Sequence, residues 1–190
     1  MPRIVHRVLL PLSFPSGLSA GEEKAGNRLV IARDGRGRPV LRGTALAGAL
    51  RHAYARSRKL RHRDASVACW FGGAHGEFGD HSSPLFVPDT VLSPGGPAAP
   101  ILRTHHAHDR HTGAVLRNSL FAMESLPPGT VAPVCLWLAE EGDLDARGFL
   151  VALVGLVRSG LVLGGHGARG VGRVELSRPA LYRRFDCSAL

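Results

Sequence analysis

Gly164-Gly165-His166-Gly167-Ala168-Arg169-Gly170-Val171-Gly172-Arg173 is the stretch whose reading decides the fold. Five glycines in ten residues disfavour a helix or strand interior, because a residue without Cβ loses the most conformational freedom on folding. Such a loop lets successive N–H groups turn toward one anion, and Arg169 and Arg173 add planar forks that match phosphate. The spacing Gly165-x-Gly167-x-x-Gly170 also spells a dinucleotide-binding fingerprint, which would make the chain a doubly wound α/β protein. That reading needs a strand before the glycines and a helix after them. Here a helical pattern precedes, and the strand-like Arg173-Val174-Glu175-Leu176 follows, so the context rejects it. A glycine-rich turn between a helix and a last strand is the plainer alternative.

Working outward, Asp143 or Asp145 caps a helix running to about Ser159, with Leu150, Leu153, Val154 and Val157 as its core stripe. Before it, Val131 to Leu138 reads as a strand interrupted by Pro133, and Leu120 to Leu126 as the strand returning from an exposed hairpin. Leu85 to Leu92 is strand-like, with Pro88 marking an edge or bulge. Residues 59–83 read as a connection with a buried aromatic anchor at Trp70 and Phe71. A helix over about Ala45 to Arg58, capped by Thr44, puts Leu46, Leu50, Ala53 and Tyr54 on one face and Arg51, Arg56 and Arg58 elsewhere. Residues 3–10 are a first strand, Pro11 to Asn27 a loop, and Leu29 to Ile31 a short apolar run closed by the turn at Asp34. The order predicts an α+β protein: one domain over 1–190, a ferredoxin-like or RRM-like βαββαβ antiparallel sheet, a hairpin inserted over 101–128 and a C-terminal glycine-rich loop. The tail from Ser177 is expected to pack on a neighbour.

The 190 residues carry a net charge of +9, unevenly placed. Residues 1–63 hold 14 Lys/Arg against 3 Asp/Glu, whereas residues 64–190 hold 10 against 12. A basic half on a balanced domain points to a polyanionic partner, most commonly nucleic acid. Of the 24 basic residues 22 are arginine, which coding bias alone explains, but bias does not explain the clustering. No apolar run reaches the roughly 20 residues of a membrane span, and no cleavage site follows the apolar run in Met1 to Leu12, so neither membrane contact nor a signal peptide is expected. Three scattered cysteines suit a reducing cytoplasm.

His105-His106-Ala107-His108-Asp109-Arg110-His111-Thr112-Gly113-Ala114 gathers four histidines and an aspartate. Zinc sites usually draw ligands from separate elements, so the expectation is no metal, and an exposed hairpin that touches nucleic acid through His106, His108, Arg103, Arg110 and Arg117.

Three segments in this order resemble the RAMP superfamily of CRISPR effector subunits: Leu41-Arg42-Gly43-Thr44-Ala45-Leu46-Ala47-Gly48-Ala49-Leu50-Arg51, then Asp109-Arg110-His111-Thr112-Gly113-Ala114, then Gly164 to Arg173. The second is similar to the Asp-Arg-x-Thr-Gly-Ala of type III backbone subunits, with Glu124 and Pro128-Gly129-Thr130 following as in that family. The resemblance implies a subunit that polymerises along a CRISPR RNA beside copies of itself and other effector subunits, with a complementary target RNA as further partner. Arg42, Gly43, Thr44 and Arg51, with Gly165, Gly167, Arg169, Gly170 and Arg173, would hold guide phosphates, and the hairpin would be a thumb splaying the guide–target duplex. Base pairing would read sequence, leaving phosphate grip and shape to the protein.

In type III backbone subunits an aspartate after the first strand supports metal-dependent cleavage of target RNA. The matching position here is Asn27, which is neutral and a poor ligand for Mg²⁺. Glu22 and Glu23 lie in the same loop, and Asp34 matches a residue that closes a turn. The reading is a binding subunit with little or no cleavage of its own and no cofactor needed for binding. The alternative is an endoribonuclease acting on target or guide, with Mg²⁺ held by Glu22, Glu23 or Asp34, or with histidines as metal-independent acid and base. A solitary RRM-like module is disfavoured because the strands show no exposed aromatic pair of the kind that stacks bases.

Overall fold

The computed structural model describes residues 4–19, 22–25, 28–61, 64–73, 82–95, 100–106, 109, 111–116, 119–140, 142, 144–164 and 170–188. The central element is β1 (Ile4–Phe14), whose alternation buries His6, Val8, Leu10, Leu12 and Phe14 and turns the odd positions to the opposite face. It pairs antiparallel with β9 (Thr130–Ala139) along ten residues, from Val5↔Ala139 to Phe14↔Thr130. β5 (Leu85–Phe86) adds to the far side of β9. The other edge of β1 is shared by β10 (Glu175–Leu176) and β11 (Leu181–Asp186).

Pro133 does not interrupt β9, contrary to the reading of its sequence, because it lies opposite Pro11. The Pro11 carbonyl accepts from Ser177 on the β10–β11 side, so the two missing N–H groups point away from each other and the β1–β9 ladder loses no bond. The tail expected to pack on a neighbour instead pairs with β1 from Ile4↔Asp186 to Leu9↔Leu181. There His6, buried on the core side, bonds the Tyr182 hydroxyl (2.8 Å) and the Glu140 carboxylate (2.9 Å), tying β11 to the end of β9.

Helices cover the core face of this sheet. α1 (Gly43–Ser57) buries Leu46, Leu50 and Tyr54, α2 (Ala65–Phe71) buries Val67 and Trp70, and α3 (Ala146–Arg158) buries Phe149, Leu150, Leu153 and Val157. Phe149 is the hub: the Trp70 ring stacks on it at 4.2 Å, and Tyr54 and Phe71 meet it edge-on at 5.3 and 5.5 Å. The expected aromatic anchor is therefore part of a helix, begun by Asp64, whose carboxylate accepts from Ser66 N.

A second sheet runs β2 (Glu22–Ala25), β3 (Arg28–Ile31), β8 (Phe121–Ser125), β7 (Ile101–His105), with the β3–β8 pair parallel. The segment expected as a loop from Pro11 to Asn27 thus holds the end of β1 and all of β2. β4 (Val40–Leu41) pairs with β6 (Thr90–Val91), so the strand expected over 85–92 is broken around Pro88. The molecule is α+β, built among the described residues mainly of antiparallel pairs with three helices.

Candidate nucleic-acid interface

A cleft of about 680 Å³ lies between α1 and the turn that leaves α3. Ala45, Ala49 and Ala53 line it at helical spacing, and their short side chains leave the room. His52, Arg56 and Ser57 supply polar groups on the same wall, facing Leu156, Ser159, Gly160, Val162 and Gly164. The C-terminal ends of both helices approach this cleft, where partial negative charge gathers; Arg56 and Arg158, in the two last turns, offset it.

Gly164 opens the glycine-rich stretch, and the arms of that loop are paired. Leu163 N donates to Gly172 O (2.8 Å), Val174 N donates to Leu161 O (2.9 Å), and Val162 bridges Arg173. Gly172 sits at φ +88° and donates to Gly17 O (2.9 Å); any Cβ there would strike the Leu163 carbonyl. The sequence motif is therefore a closed-neck loop anchored to the end of β1. Its neck residues Gly170 and Arg173 are described, Arg173 as an exposed side chain 3.1 Å from Glu175; Gly165, Gly167 and Arg169 lie outside the described residues.

The start of α1 is built differently from its sequence reading. The helix begins at Gly43, two residues earlier than a Thr44 cap would give, and Thr44 is exposed. Gly43 fits because it presses on the Val87 carbonyl, where a Cβ would collide. The cap comes from far away: Asp89 Oδ1 accepts from Gly43 N (2.8 Å) while Oδ2 accepts from Arg42 Nη1 (3.0 Å). The Gly43 N–H first, and then the Arg42 guanidinium, hold the Asp89 carboxyl below its ordinary range. Arg51 Nη1 donates to Gly72 O (3.1 Å) at the end of α2, giving that arginine a scaffold contact.

The hairpin of β7 and β8 pairs Ile101↔Ser125 through His105↔Phe121, where the two rings stack at 5.6 Å. At its distal turn Asp109 accepts from His111 N (2.7 Å) and Thr112 N (3.2 Å), while Asp109 N donates to Ala114 O (2.8 Å). The Asp-Arg-x-Thr-Gly-Ala segment is thus a self-closing turn. His106 is exposed, and His108 and Arg110 lie outside the described residues. Leu102, Val115, Leu116 and Leu120 are exposed on the hairpin, an apolar character hidden in the sequence by the intervening histidines. At the hairpin's base Glu124 accepts from Ile31 N (2.9 Å) and pairs with Arg33.

Among the described residues no three His, Cys, Asp or Glu side chains gather, and the Asp34 carboxylate is taken up by Arg36 N, Arg38 N and Arg38 Nε at 2.8–2.9 Å. The Arg38 N–H first, and its guanidinium next, hold the Asp34 carboxyl below its ordinary range. Asn27 lies outside the described residues.

Fold and cleft together define an α+β protein in which the α1 wall, carrying His52 and Arg56, faces Gly164 at the start of the glycine-rich stretch. The family model of the RAMP superfamily matches residues 11–175, and the chain belongs to that superfamily. That membership makes it a CRISPR-associated RNA-binding subunit, of a kind that binds CRISPR RNA and works in multi-subunit complexes. No curated protein matches the chain. Among the described residues, no helix is long and apolar enough to cross a membrane.

Proposed function

We propose that the chain is a guide-RNA-binding backbone subunit of a type III-like CRISPR ribonucleoprotein in the cytoplasm, standing beside copies of itself and engaging a complementary target RNA. The observation that carries the reading is the cleft: it joins α1 to Gly164, so two motifs more than 100 residues apart in sequence face one groove. Guide phosphates would run along His52 and Arg56 toward the N–H groups and arginines of the loop at 164–173. The strand order β10-β1-β9-β5, all antiparallel, with α1 between β1 and β5 and α3 between β9 and β10, supports reading the main sheet as ferredoxin-like and residues 1–190 as one domain. The exposed leucines of the hairpin over 101–128 suit a thumb that wedges between stacked bases.

Cleavage of its own is not part of this reading, and RNA binding needs no cofactor in it. Coexpression with the genomic neighbours, sequencing of the RNA that co-purifies, and incubation of the complex with target RNA and Mg²⁺ test it. Repeat-flanked RNAs and an intact target are expected. Regularly spaced cuts lost in Glu22→Ala or Glu23→Ala would select the metal-dependent endoribonuclease instead. Arg56→Ala is expected to weaken guide binding and to lower the slope of affinity against salt by about one.

A further inference from the structure

The helix-free face of the main sheet carries a feature the cleft does not use. Strand register sets Phe86, Trp137, Arg7 and Arg183 in one row across β5, β9, β1 and β11. At about 4.8 Å per strand the row spans about 14 Å. Phe86 is 62% exposed, Arg183 is exposed, and Trp137 and Arg7 are partly so. The Arg7 guanidinium lies 5.5 Å from the centre of the Trp137 ring, and Phe185, one step along β11, stacks on the same ring at 6.0 Å. Register therefore sets Phe86 next to Trp137, with the Arg7 guanidinium over the Trp137 ring and Arg183 one strand further on. Phe86 is the exposed aromatic of this row, and Trp137 beside it is half-buried.

Among the described strand residues of this face the one carboxylate is Glu175, at the far end beside Ser13 and already paired with Arg173. The face is thus cationic as well as aromatic, and it belongs to a chain of net charge +9. A second copy would bring the same positive charge toward these arginines, whereas a polyanion complements them. Aromatic planes add nothing to the binding of a stacked duplex but offer each unpaired base a surface.

We propose that this sheet face is a second RNA-binding surface, on the side opposite the α1 cleft, which takes single-stranded RNA by stacking bases on Phe86 and Trp137 and holding phosphates with Arg7 and Arg183. The chain contains two tryptophans, and the other, Trp70, is buried against Phe149, so quenching of tryptophan fluorescence reports on Trp137. The experiment titrates the full chain with a short single-stranded oligouridylate. The expected result is quenching that survives Arg56→Ala and weakens about tenfold in Phe86→Ala. In Arg183→Ala the salt slope is expected to fall by about one. Both side chains are exposed, and thermal melts confirm that each variant folds. Binding without quenching, or quenching indifferent to Phe86→Ala, would overturn the proposal. So would an RNA-free self-association that Phe86→Ala abolishes in a protein showing no quenching, which would make the face a contact between copies.

Discussion

At the scale of single residues, two positions show how strictly the backbone is placed. Gly172 combines a positive φ with a close approach to the Leu163 carbonyl, and its N–H holds the loop neck to Gly17. Gly172→Ala should therefore cost about 2 kcal/mol or more, read as a lower midpoint in urea unfolding, and it should loosen guide RNA by opening the neck; an unchanged midpoint would refute the packing described. Asp89 is the second such position. Its carboxyl is held below the ordinary value of 3.8 by Gly43 N–H and Arg42, so the folded state binds its proton less readily than the unfolded chain. The resulting stability is fully present above that ordinary value and is lost as pH falls through the lower folded value. Asp89 is half exposed, so solvent screens the ion pair and the cap supplies most of the effect. Asp89→Ala should cost about 1 kcal/mol at neutral pH. The gap between variant and parent should narrow in melts taken from about pH 6 down to about pH 3.

At the scale of elements, legibility tracked distance along the chain. Asp145 was readable as the cap of α3 because the N–H it accepts, Gly148 N, is three residues away. Thr44 misled because the true cap of α1, Asp89, is 46 residues from Gly43. Pro133 looked like a strand breaker for the same reason: only the register with Pro11 shows that its missing N–H faces away from β1. The candidate site divided likewise. The glycine loop and the helix start could be read as motifs, but the cleft joining α1 to Gly164, and the row joining Phe86 to Trp137, exist only through tertiary pairing. The helices meet the same limit at Phe149, where aromatic rings from three helices converge. Phe149→Ala should cost about 3–5 kcal/mol and, by releasing α1 from α3, widen the cleft. A loss confined to a few tenths of a kcal/mol would show that α1 is held by the sheet alone.

At the scale of the whole molecule, β1 is the strand on which everything else is laid, and its two edges are protected in different ways. β9 runs the length of one edge, whereas the other is shared by β10 at its end and β11 at its beginning. β11 contributes little to the core: its residues are mostly exposed, and its hold rests on ladder bonds, on the Tyr182–His6–Glu140 contact and on Phe185 stacked against Trp137. Removing residues 180–190 would leave the core cluster almost intact while uncovering the edge of β1 from Ile4 to Leu9. It would also expose His6 and take Arg183 off the aromatic face. An uncovered edge of this length is a template for pairing with another chain. The shortened protein should therefore keep its helical signal and most of its midpoint in urea. It should self-associate, and its tryptophan quenching by oligouridylate should weaken and lose salt dependence, while the guide held in the α1 cleft is retained. Sedimentation against concentration, together with the quenching titration, checks both halves. A shortened chain that stays monomeric would mean that β1 is guarded by something other than β11, and one that unfolds outright would mean that the His6 contact carries far more of the stability than its exposed strand suggests.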